Sequence, residues 1–184
     1  MKYDAVVISG LPGAGKGILA KKLAELYKWK VVSAGNLWRE RYRTLYPNKE
    51  VNFEDYWKRI SLFEQKHMDE HLRALIEKGN IIGDFRYAKS CVGVRALFVF
   101  LTSDITIRAK RALATRKYSG KMIEEIKDIL KEREKDEVEI GKKIYGEDYD
   151  FRDEKYYNLI LDSGTLSLAE EINVINKEMK NDKL

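Results

Sequence analysis

Apolar and polar positions along the chain alternate between short unbroken runs and helical stripes. Ala5-Val6-Val7-Ile8 is a β-branched run that predicts a first strand over about 4–9. Leu19, Leu23 and Leu26 then recur at helical spacing and predict a helix over about 16–28. Val31-Val32 reads as a short second strand, with Asn36 as the cap of the helix that follows. Residues 44–58 lose periodicity. Pro47-Asn48 signals a turn there, and Phe53, Tyr56 and Trp57 are expected to form the core of a small helical insertion. A long helix is expected over 60–78, ended by Gly79-Asn80. Ile81-Ile82-Gly83-Asp84 is a third strand, and Val94 to Leu101 a fourth, apolar enough to be buried on both faces. Asp104 opens another helix that fades near Thr115 to Gly120. The longest helix runs from about Met122 to Ile144, with Met122, Ile126 and Leu130 in its stripe. That stripe weakens at Ile140-Gly141, where a bend or break is expected. Tyr157 to Asp162 makes the last strand, and 167–180 a closing amphipathic helix.

Strands therefore alternate with helices, and no hairpin signal intervenes. The pattern predicts one α/β domain over 1–184, a three-layer sandwich around a central parallel five-stranded sheet. Ligands of such sheets bind outside the C-terminal ends of the strands. Five segments fall there: 10–17, 33–39, 84–86, 102–104 and 162–165.

The first segment carries the strongest chemistry. Gly10-Leu11-Pro12-Gly13-Ala14-Gly15-Lys16-Gly17 stands between a strand and a helix with the spacing of a phosphate-binding loop. Glycines let successive N–H groups turn toward a phosphate, the helix N-terminus adds partial positive charge, and Lys16 adds a full one. The usual Ser or Thr after the lysine is replaced by Gly17, with Ile18 next, so Mg²⁺ has no direct hydroxyl ligand here. Asp84 is the acidic residue at the end of a central strand, placed to hold Mg²⁺ through water or to orient an acceptor oxygen. Arg86 and Arg39 offer planar forks for an acceptor phosphate. Arg108, Arg111, Arg116 and Arg133 bracket a Ser/Gly segment that reads as a cationic lid, excluding water and neutralising a transferred phosphoryl group.

Composition narrows the classes. The chain has 184 residues, 44% apolar and 35% charged, so it is globular rather than disordered. A charge of +5 suits anionic ligands, and no basic tail or finger pattern points to a nucleic acid polymer. No apolar run approaches membrane-spanning length. The first strand begins within a few residues of the N-terminus, so no secretion signal is expected. One cysteine, Cys91, excludes an internal disulfide, and a cytoplasmic location is expected. His67 and His71 lie one helical turn apart, but no third ligand is evident for zinc.

The sequence resembles the short archaeal-type cytidylate kinases within the P-loop nucleoside monophosphate kinase family. The marks are the loop from Ile8 to Gly17, Val32-Ser33-Ala34-Gly35-Asn36-Leu37-Trp38-Arg39, Gly79 to Arg86, Arg108 with Arg111, Arg133-Glu134, Ile144-Tyr145-Gly146-Glu147-Asp148, and Tyr157 to Ser163. The resemblance implies a P-loop NTPase-type fold with an acceptor-binding helical region over 36–78 and a short lid region over about 112–146. It implies transfer of the γ-phosphoryl of ATP, with Mg²⁺, to CMP or dCMP. Donor contacts would come from Gly10, Gly13, Ala14, Gly15, Lys16, Gly17, Ile18 and Arg108. Acceptor contacts would come from Ser33, Asn36, Arg39 and Arg86, and catalysis from Lys16, Asp84, Arg111 and Arg133. A monomer is expected, with a homodimer as the alternative. The chain departs from the family at Ile18, at Asn36 (usually acidic), at Phe85 (usually glycine, so added bulk is expected where the acceptor lies) and at Ile140-Gly141, where a lid arginine is expected. Two other readings stand beside this one: a P-loop kinase with a different small acceptor, and a nucleotide-binding regulatory protein that turns over weakly.

Overall fold

The computed structural model describes residues 1–115 and 118–180; Arg116, one of the expected lid arginines, lies outside them. Five parallel strands, β1 (Ala5–Gly10), β2 (Lys30–Ser33), β3 (Ile81–Asp84), β4 (Ala96–Thr102) and β5 (Leu159–Asp162), form one sheet in the order β2-β3-β1-β4-β5. The helices are α1 (Lys16–Tyr27), α2 (Ala34–Leu45), α3 (Phe53–Arg59), α4 (Leu62–Ile76), α5 (Ile105–Leu113), α6 (Ile123–Tyr145) and α7 (Leu168–Lys180). The expected parallel α/β sandwich is therefore the fold.

Strand parity divides the core. Val6 and Ile8 pack with Leu19 and Leu23 of α1 and Ile175 of α7, while Ala5 and Val7 pack with Leu72 and Ile76 of α4. Each is fully buried, and burying one such aliphatic side chain stabilises by roughly 1.5–3 kcal/mol. Two smaller cores stand apart. Ala109, Ala112, Ile126 and Leu130 join α5 to α6, and Trp38, Tyr56 and Ile60 join α2 to α3. The aromatic residues expected at the core of the insertion do pack there: Phe53, Tyr56 and Trp57 each meet another ring within 6.3 Å.

Caps explain most boundaries. Asp104 caps α5 through the Thr106 N–H at 2.8 Å. Ser61 and Glu64 form a reciprocal capping box that starts α4.

The structure departs from expectation at four points. Asn36 is not a cap: β2 runs directly into α2, Ser33 stands at the cap position and Asn36 is already helical. Met122 leaves the stripe of α6 and is exposed, its N–H held by Glu125 at 2.6 Å. Helix α6 continues unbroken through Ile140-Gly141. Glycine is needed there because a Cβ at 141 would lie 3.0 Å from the Tyr149 ring and 3.2 Å from Tyr87. Finally, Phe85 turns into the core between Ala5, Val7 and Ile76 and adds no bulk to the cleft. Its ring occupies the space of an absent side chain, since a Cβ at Gly83 would come within 2.5 Å of Phe85 Cε1 and 2.9 Å of Ile76 Cδ1.

Candidate functional site

The phosphate loop leaves β1 at its C-terminal end. Gly10 has φ +142°, and a Cβ there would lie 2.2 Å from the Leu101 carbonyl of the neighbouring strand. Gly15 has φ +99° at the mouth of α1. Both positions exclude other residues on backbone grounds. Leu11 N–H donates to Leu101 and Ala14 N–H to Leu11, which pins the outer rim. Among the described residues, the N–H groups of Gly13, Gly15, Lys16 and Gly17 donate to no backbone carbonyl. Open donors of this kind at a helix start suit an anion.

Lys16 folds into that space. Its ammonium donates to the carbonyls of Gly10 at 2.8 Å and Leu11 at 3.1 Å. The stem is partly open to solvent but the ammonium lies inside the loop, and burial, followed by the Arg86 charge, lowers its pKa to about 8. Asp84, Glu137 and Arg133 also act on it. With Lys16 itself, these residues come from three separate stretches of chain, and the fold gathers them at one end of the sheet.

Asp84 stands at the C-terminal end of β3, in register with Ile8 and Ser33. Ser33 Oγ is 3.4 Å from Asp84 Oδ2, a long contact. Gly17 lies on the other side, where a Cβ would sit an ordinary 3.6 Å from the same oxygen. The carboxylate thus faces the position where a loop hydroxyl would stand. A hard oxygen donor next to a triphosphate loop fits a Mg²⁺ ion that keeps most of its waters.

The arginines divide into two sets. Arg108 is buried and committed: Nε donates to the Ser103 carbonyl at 2.9 Å, and Nη1 donates to the Pro12 carbonyl and meets Glu134, each at 3.2 Å. Arg111 Nη1 donates to Ser163 Oγ at 2.8 Å and to the Ala14 carbonyl at 3.5 Å, and Nη2 to the Ser163 carbonyl at 2.5 Å. Both grip the phosphate loop by carbonyls and brace it from α5. Arg86 and Arg133 differ. Glu137, 4% exposed, accepts from Arg133 Nε at 2.9 Å through Oε1 and lies 2.5 Å from Arg86 Nε through Oε2. The second contact is an ion pair without hydrogen-bond alignment. Burial works against the Arg86 charge and Glu137 works for it. Among the described residues, the terminal nitrogens of Arg86 and Arg133 meet no partner, so their forks are open.

The α2 side of the cleft is looser. Arg39 is exposed and donates to Asn36 Oδ1 at 2.7 Å, lying back over Gly35, where a Cβ would be 3.3 Å from its Nη2. Ile18 is exposed beside the loop.

Two buried acids escape sequence reasoning. Glu137 looks like one of many charges on a long helix. Asp69 of α4 is buried, accepts from the Tyr145 hydroxyl at 2.6 Å, and is raised to about 7 by burial, against the effects of Tyr145 and Arg86. Only their positions next to buried apolar residues on the same helix face could have flagged them. Among the described residues, no group of three His, Cys, Asp or Glu is placed to hold a metal ion. No helix of the described residues is long and apolar enough to cross a membrane.

The chain is similar to several known proteins. The cytidylate kinase of Methanopyrus kandleri is 29% identical over 186 residues, spanning 92% of this chain and 90% of that protein. Among solved structures, an uncharacterized protein from Eubacterium ventriosum superposes with a TM-score of 0.68 at 19% identity, covering 97% of this chain and 98% of the other. A shikimate kinase from Bacteroides thetaiotaomicron superposes at 0.59 with 14% identity, covering 98% of each chain. These two show the shared fold. A family model described as an AAA domain matches residues 9–137, from the last residues of β1 to Glu137. Together these support a P-loop phosphotransferase of kinase type. The chain belongs to the AAA domain family, as a P-loop domain related at divergent identity to archaeal cytidylate kinases.

Proposed function

We propose that the protein moves the γ-phosphoryl group of ATP to a nucleoside monophosphate, with CMP or dCMP as the acceptor. The observation that carries this reading is the convergence of Asp84 and of Arg86 and Arg133, whose forks are free, on Lys16 in the open phosphate loop. Two anions can be neutralised there at once. The cytosine preference rests on the names of the relatives.

The loop N–H groups and Lys16 hold the donor phosphates. Arg86, at the end of β3, takes the acceptor phosphate, with Ser33 and Arg39 on the α2 side. Arg133 stands across from it on α6 and meets charge that develops on the equatorial oxygens during in-line transfer. Asp84 would hold Mg²⁺ through water, and the ion would supply charge neutralisation. Arg108 and Arg111 act at one remove in the present geometry, by fixing the loop.

The test is ADP release by purified protein with ATP and Mg²⁺ against a panel of monophosphates and a no-acceptor control. Signal with CMP or dCMP supports the reading. Signal with another acceptor alone replaces it, and no signal with any acceptor favours a regulatory binding protein.

Two further expectations arise here. Triphosphate binding needs the Lys16 ammonium, which in the free protein is lost as pH rises through about 8. ATP affinity should therefore be level below pH 7 and fall as pH rises past 8, with proton uptake on binding in calorimetry. An affinity that is flat to pH 10 would remove Lys16 from the binding step. Gly17→Ser restores a loop hydroxyl at a site with room for it. It should fold as the parent does and lower the Mg²⁺ concentration for half-maximal turnover severalfold. An unchanged Mg²⁺ requirement would place the ion away from Asp84.

A further inference from the structure

We infer that Glu137 is a positioning residue that presets the two phosphate-binding arginines as a single clamp, a role that rests on the phosphoryl-transfer reading. A guanidinium has two useful edges. The Nε edge can be spent on an anchor while the terminal pair stays available for a phosphate. Glu137 sets one carboxylate against the Nε edge of both arginines, accepting a hydrogen bond from Arg133 through Oε1 and forming an ion pair with Arg86 through Oε2. The terminal nitrogens of both are left open, whereas Nη1 of Arg108 is spent on the Pro12 carbonyl and Glu134, and both terminal nitrogens of Arg111 on carbonyls and Ser163.

The anchor joins different parts of the fold. Arg86 follows β3, and Arg133 and Glu137 lie one turn apart on α6. The Glu137 backbone is itself held, because Tyr87 donates its hydroxyl to the Glu137 carbonyl at 2.8 Å. The residue next to Arg86 thus fixes the helix that carries the carboxylate. The side chain of Glu137 is 5% exposed and that of Arg86 18%, so water competes little for either. Arg133 is 47% exposed and has the most to lose in order without the anchor. Two forks held ready before the anions arrive spare the ordering entropy of two long side chains.

A bland alternative gives Glu137 only the task of neutralising a buried arginine. Two variants separate the readings. Glu137→Asp keeps the charge but is one methylene too short to span both Nε groups. Glu137→Gln keeps the length but has a single acceptor oxygen. Melting curves first establish that each variant is folded at the assay temperature. Tripolyphosphate affinity is then measured by calorimetry, because it reads the clamp whatever the acceptor base, and kcat is measured with the monophosphate the wild type uses. The expected result for Glu137→Asp is tripolyphosphate affinity down about tenfold and kcat down about tenfold to a hundredfold, as for a misplacement of order 1 Å. Glu137→Gln should lose turnover similarly, although removing an anion would by charge alone tighten tripolyphosphate. Either folded variant with affinity and kcat within about twofold of wild type overturns the inference. If the wild type transfers to no monophosphate while tripolyphosphate binding still weakens in Glu137→Asp, the kinase reading falls and the positioning role stands.

Discussion

Lys16→Ala should yield a folded protein with no measurable phosphoryl transfer, a loss of at least about a thousandfold. A single preorganised donor at a site of developing charge is worth a hundredfold to a thousandfold, and a full cation on a transferred phosphoryl group more. Arg108 and Arg111 cannot substitute, because they are tied to the outside of the loop. Stability should hold or rise. The partners of Lys16 are two loop carbonyls, and burial depresses its ammonium, so at neutral pH its charge costs the folded state something. Melting temperature and turnover measured on one preparation check both halves. Wild-type turnover in the variant would end the kinase reading.

Arg86→Ala should remove acceptor binding and destabilise the protein at once. The acceptor loses a planar fork at the end of β3, and its affinity should fall at least about a hundredfold while that for ATP falls no more than about tenfold. Meanwhile Glu137 keeps only Arg133. Removing one partner of a buried ion pair typically costs about 3–5 kcal/mol, and the surviving contact on Oε1 should hold the loss near the lower end. For a domain of this size that corresponds to roughly 6–12 °C in melting temperature. Arg86→Lys separates the two effects, since an ammonium can balance Glu137 but presents no fork. It should regain much of the stability and little of the acceptor affinity. Equal losses of ATP and acceptor in either variant would contradict the placement of Arg86.

The sheet was legible because its signals are local. The run at Ala5 to Ile8, the glycine loop and the apolar stretch to Leu101 each announce a strand or its exit without help from distant residues. Asp104 likewise carries its own capping chemistry. The site was legible as far as residues at strand ends, and Lys16, Asp84 and Arg86 do meet there. What stayed hidden depends on partners far along the chain. Arg111 and Arg133 look alike in sequence, yet one is spent on Ser163 and the other keeps its fork, a difference set by tertiary contacts. Glu137 sits among many acids and lysines, and no period marks one carboxylate as buried. Phe85 lies just past the strand, where alternation no longer says which way a ring turns. The weak stripe at Ile140-Gly141 mimicked a break, since a glycine that admits two tyrosine rings looks the same as one that ends a helix.

Gly83 and Phe85 carry a consequence for how this chain can change over generations. The ring of one fills the room that any side chain on the other would need. Substitution at 83 alone overpacks the core, and loss of the ring alone leaves a void, so each single step is penalised while the pair together is tolerable. The two positions are therefore epistatic, and the order of steps is constrained. A lineage that acquires the phenylalanine is held to glycine two residues earlier, and return to a small residue at 85 must come before anything larger than glycine can settle at 83. Asp84 sits between them and inherits a backbone fixed on both sides.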